Sequence, residues 1–157
     1  MWDLLTEAQA FAWIWHTHGL CPRFTEGDGL PDLEWGDGNW LEAKAIHRSK
    51  EEEKFLEHVS TANAGIVIRW SNLGPASEKF RSKLDKTYLE ATSQLARVAP
   101  RTATVWINVR MDFGVSPRLA KDALCRWVDR HAGPGKPRVV VIWASEWKVP
   151  LADSGAP

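Results

Sequence analysis

Asp32, Glu42 and Lys44 are the residues whose types and spacing fit a chemical task. They lie in the stretch from Leu30 to Ile46, where two runs of alternating character flank Gly36-Asp37-Gly38. Such a connection suits a type I turn closed by a glycine in the left-handed region, and it predicts a β-hairpin. With Asp37 at the centre of the turn, Asp32 falls opposite Glu42 and Glu34 opposite Trp40. Side chains alternate between faces, so Lys44 shares a face with both carboxylates, while Leu33, Leu41, Ala43 and Ala45 share the other. Carboxylates facing each other on a sheet cost a few tenths to about 1 kcal/mol. A divalent cation resolves the conflict, since Mg²⁺ takes one or two carboxylates together with waters and phosphate oxygens. A lysine one step along the strand can orient or help deprotonate an attacking water, or hold a phosphate. The constellation predicts hydrolysis of a phosphodiester. The alternative is an exposed hairpin whose Glu42 and Lys44 form an ordinary surface pair worth about 0 to 1 kcal/mol. Leu30, Trp40 and Ile46 on the same face argue that this face is covered.

Pro31-Asp32, nine intervening residues and then Glu42-Ala43-Lys44 resemble the PD-(D/E)xK signature of the restriction-endonuclease-like nucleases. The resemblance implies a restriction-endonuclease-like core, a mixed sheet between helices entered from a helix through the hairpin that bears the site. It implies Mg²⁺ (or Mn²⁺) held by Asp32, Glu42 and the Ala43 carbonyl, with Lys44 as the catalytic lysine. Several branches of that superfamily add a carboxylate from the first helix, for which Glu7 is the candidate here; a first-turn glutamate is also well placed for the helix dipole alone. The glutamine-and-tyrosine helix motif of the exonuclease branch is not found after Lys44. The implied activity is therefore that of a DNA endonuclease or structure-specific nuclease. The competing expectation is a non-catalytic subunit that keeps the fold and binds nucleic acid or protein, in a homodimer or a larger complex.

Elements must position these residues. Leu4, Leu5, Ala8, Phe11, Ala12 and Trp15 recur at helical spacing and predict a helix over residues 3 to 18, ended by Gly19. A short strand is expected near Arg23 to Thr25, ahead of the hairpin. His47, Arg48 and Lys50 follow the hairpin as a basic cluster able to hold a phosphate, and Ser49 with the glutamates after it equally suits a helix start. A helix near 50 to 61, a strand at Ile66 to Trp70, a long helix from Ser77 to Val98, a strand from Thr102 to Arg110, a helix from Pro117 to His131 and a strand from Arg138 to Ala144 complete the pattern. The fold class expected is α/β, a mixed central sheet flanked by helices, in one domain over 1–149 with a flexible tail over 150–157.

Composition limits the alternatives. Twenty basic and twenty acidic residues cancel, which disfavours a DNA-coating protein but not a nuclease that engages a short stretch. Cys21 and Cys125 suggest no disulfide framework and a reducing cytoplasm. No apolar run is long enough to cross a membrane. His16, His18 and Cys21 lack zinc spacing, Glu26 and Asp28 read as solvated loop carboxylates, and no phosphate-loop motif is present. Most of the ten tryptophans are expected in the core.

Overall fold

The computed structural model describes residues 2–47, 77–110, 117–143 and 152–153. Arg48, Lys50, the helix near 50 to 61 and the strand at Ile66 to Trp70 lie outside the described residues. In chain order the elements are α1 (Trp2–His18), β1 (Arg23–Phe24), β2 (Leu33–Trp35), β3 (Asn39–His47), α2 (Glu78–Leu95), a 3₁₀ turn (Ala96–Val98), β4 (Thr102–Arg110), α3 (Pro117–His131), β5 (Arg138–Trp143) and β6 (Ala152–Asp153). The six strands among the described residues form one sheet in sequence order. β2 runs antiparallel to both β1 and β3; β3, β4 and β5 run parallel, and β6 returns antiparallel. The protein is therefore a mixed α/β domain.

Strand alternation decides which helix meets which residue. Ile46 on β3, Val105, Ile107 and Val109 on β4, and Val139 and Val141 on β5 share a face with Phe80, Leu84 and Leu95 of α2 and Leu124 and Trp127 of α3. Leu41, Ala43, Trp106 and Val140 take the other face, with Ala10 and Ile14 of α1. β3 to β4 and β4 to β5 are both parallel steps in one direction across the sheet. Crossovers of one hand put their helices on a single side, and α2 and α3 do share theirs. α2 starts where its sequence says it should, with the Ser77 hydroxyl accepting from the Phe80 N–H at 3.2 Å, a cap worth about 1 kcal/mol.

Three expectations change. The apolar stripe assigned to α1 is not its buried face: Thr6, Ala10 and Ile14 are buried, while Leu4 is 68% and Trp15 53% exposed. α1 carries apolar residues all the way round, so periodicity does not single out a side. The hairpin turn holds both Gly36 and Gly38 at positive φ, 55° and 77°, where a type I turn with a closing glycine needs only the last. And Ala152–Asp153, in the stretch expected as a flexible tail, pairs with β5.

Candidate active site

The hairpin register is the expected one, with Leu33 opposite Leu41, Glu34 opposite Trp40 and Trp35 opposite Asn39. The ladder stops there. Beyond Leu33 the chain bends away from β3, and the next backbone donor on that edge, the Ala43 N–H, donates to Asp32 Oδ2 at 2.7 Å. In return the Asp32 N–H donates to Glu42 Oε2 at 3.2 Å. Each acid thus satisfies a backbone donor that the parting of the strands would otherwise leave without a partner. A strand residue directs its N–H and C=O toward the same neighbour. The Ala43 carbonyl therefore faces the edge from which β2 has withdrawn, where Asp32 stands.

Glu42 lies on the α2 side of β3, in register with Val105 of β4, and is 0% exposed. Burial pushes its carboxyl up to about 7, Lys44 opposes the rise, and the negative charge of Asp32 adds to it. Lys44 Nζ makes an ion pair with Glu42 Oε1, yet that oxygen receives no hydrogen bond of proper geometry. The Lys44 side chain itself is 28% exposed. It reaches solvent through a groove along α2 rimmed by Ser82, Lys86, Ser93 and Arg97. Arg97 Nη1 donates to the Gly29 carbonyl at 3.3 Å, tying the end of α2 to the loop that leads into Asp32.

This donor set suits a hard divalent cation. It offers two carboxylates, a backbone carbonyl on a parted edge and one buried carboxylate oxygen with no directed donor, leaving positions for water and phosphate as Mg²⁺ prefers. Among the described residues no three His, Cys, Asp or Glu side chains come together as metal ligands. Glu7 accordingly does not join the pair. It is half-buried on α1, and α1 packs on the Leu41 and Ala43 side of β3, opposite the Glu42 side chain. His47 ends β3 half-buried, its carbonyl accepting from Lys83 Nζ at 3.5 Å. Glu26 and Asp28 are exposed, as are His16, His18 and Cys21, and Cys21 and Cys125 are not joined in a disulfide.

The α2 groove was not anticipated from the sequence. Its signal is a mostly polar stripe, Ser82, Lys86, Leu89, Ser93 and Arg97 at helical spacing, which a search for apolar periodicity passes over. No helix among the described residues is long and apolar enough to cross a membrane. No family model, curated protein or solved structure matches the chain.

Proposed function

We propose that this chain is a metal-dependent nuclease of the restriction-endonuclease-like kind, hydrolysing phosphodiester bonds of DNA in the cytoplasm as an endonuclease or structure-specific nuclease. The observation that carries the reading is the buried Glu42 carboxylate, bonded through Asp32 to the parted end of the hairpin, with the Lys44 ammonium beside it. A chain needing only a stable hairpin gains little from a fully buried glutamate, because desolvation offsets most of what its ion pair contributes.

Asp32, Glu42 and the Ala43 carbonyl would hold Mg²⁺ or Mn²⁺. Bound there, the cation supplies Lewis-acid polarisation of a phosphoryl oxygen and neutralises charge that develops on the phosphate. The residues of the chain do the rest. Asp32 fixes the strand edge by accepting from Ala43, which holds the carbonyl in place. Glu42 keeps one oxygen committed to the Asp32 N–H and the other turned to Lys44. Lys44, reachable from the groove, would orient an attacking water or donate to a phosphate oxygen.

The test is a cleavage assay with Mg²⁺ or Mn²⁺ on single-stranded, duplex and branched DNA, with an RNA control. Asp32→Ala, Glu42→Ala and Lys44→Ala are each expected to lose about a thousandfold in rate, corresponding to several kcal/mol of transition-state stabilisation. Equal activity in all four proteins discards the proposal.

One observation favours a second reading. The reciprocal hydrogen bonds and the ion pair complete the site by themselves, as befits a non-catalytic subunit that keeps such a fold in a homodimer or larger assembly. Calorimetry showing no divalent-metal binding by the wild type, with a stable complex to another chain, would select it.

A further inference from the structure

A cleft of about 870 Å³ opens at the end of the sheet where β4 and β5 begin, beside the hairpin turn. Arg101, Lys136 and Arg138 line it together with His18 and Trp35, and no aspartate or glutamate does. In a chain whose charges cancel, three cations around one cleft without an acid are a local departure. They are placed by the fold. Arg101 stands just before β4 with its backbone N–H held by the Gly38 carbonyl at 2.8 Å, and Lys136 closes the turn from Gly133 at 3.1 Å. Arg138, the first residue of β5, lies over the Trp13 ring at 5.0 Å. Neither Arg101 nor Lys136 makes an ion pair among the described residues. Their charge is available to a ligand.

Asn39 begins β3 in register with Thr102, which lines the cleft. Glu42 is three residues further along, about 10 Å at the strand rise, or about three stacked nucleotides at 3.4 Å each. We infer that this cleft binds the phosphodiester backbone of a single nucleic-acid strand, Arg101 and Lys136 meeting phosphates. Binding stands on the cleft alone; that the bound strand is a substrate rests on the nuclease reading.

Fluorescence anisotropy with a labelled single-stranded oligonucleotide, in EDTA, measures binding without catalysis. Arg101→Glu combined with Lys136→Glu is expected to weaken it by at least about tenfold at moderate salt, and the neutral pair Arg101→Gln and Lys136→Gln to lower the slope of log affinity against log salt by about 1.4, at 0.7 per phosphate contact. Thermal melting checks that each variant is folded. Unchanged affinity in both folded variants, no binding by the wild type, or a mononucleotide binding as tightly as the oligonucleotide each overturns the inference. Cleavage of the same oligonucleotide with Mg²⁺ separates the two proposals. A wild type that binds through Arg101 and Lys136 but never cleaves leaves the cleft and removes the nuclease, and one that cleaves while the variants bind normally does the reverse.

Discussion

Glu34 and Glu42 sit on neighbouring strands, each against a cation, and the two pairs behave as different chemistry. Arg23 faces Glu34 across β1 and β2 and donates to its Oε2 through Nε at 2.9 Å. That arginine is 75% exposed, so water competes for it and the pair is worth about 0 to 1 kcal/mol. Glu42 meets Lys44 two residues along its own strand, where alternation puts both on the α2 face. There the carboxylate has lost its water altogether. Pairing is common to both; at Glu42 full burial, with the charge of Asp32 adding to it, lifts the carboxyl to about 7. The lesson is that the reactive acid is marked by what surrounds it and not by having a partner.

The sharpest way to break this contrast is catalytic. Glu42→Gln keeps the shape of the side chain and is expected to reduce metal-dependent cleavage by about a thousandfold, while Glu34→Gln leaves it unchanged; equal losses would erase the distinction. The next effect is on stability. The folded carboxyl of Glu42 titrates at about 7 against an ordinary 4.5, so between those values the folded state holds a proton that the unfolded chain has released. Stability from this group is therefore full below pH 4.5, falls as pH rises to 7, and stays flat above, a change of about 3 kcal/mol. Urea unfolding of wild type and Glu42→Gln across that window checks it, and the difference between their curves should carry that slope. Metal competes with the same proton. Mg²⁺ is expected to stabilise the wild type by about 1 kcal/mol, a rise of about 2 to 4 °C in Tm, at pH 8 and much less at pH 6. Glu42→Gln should lose the response and Glu7→Gln should keep it. The smallest effect belongs to Arg23→Ala, about 0 to 1 kcal/mol with cleavage intact, read by thermal melting.

The same division, between what is local and what depends on surroundings, runs through the reading of the sequence. The hairpin register was legible because Gly36-Asp37-Gly38 fixes the turn, and register follows from the turn and from alternation. α2 was legible because its apolar residues occupy one stripe and Ser77 caps it. α1 was not: with apolar side chains on every side, only the sheet chooses between Ile14 and Trp15 for the interior. The site divides likewise. Asp32, Glu42 and Lys44 could be placed on one face from spacing, whereas the reciprocal bonds through the Ala43 and Asp32 N–H groups arise where the hairpin parts, which spacing alone does not show. Glu7 was misplaced for the same reason as Trp15, since its position relative to β3 depends on how α1 docks. The basic cleft joins Arg101 to Lys136 and Arg138 across two strand starts, a proximity made by parallel pairing and invisible along the chain.

Among the described residues the sheet is bordered by strands of two residues on both sides, β1 and β6. A strand that short exposes few backbone groups along its outer edge, so a second molecule finds little on which to extend the ladder. The long parallel strands, richest in β-branched residues and the most adhesive part of the chain, are flanked on each side by a shorter neighbour. On these described borders little backbone is offered to a neighbouring molecule, independently of whatever the carboxylates and cations bind.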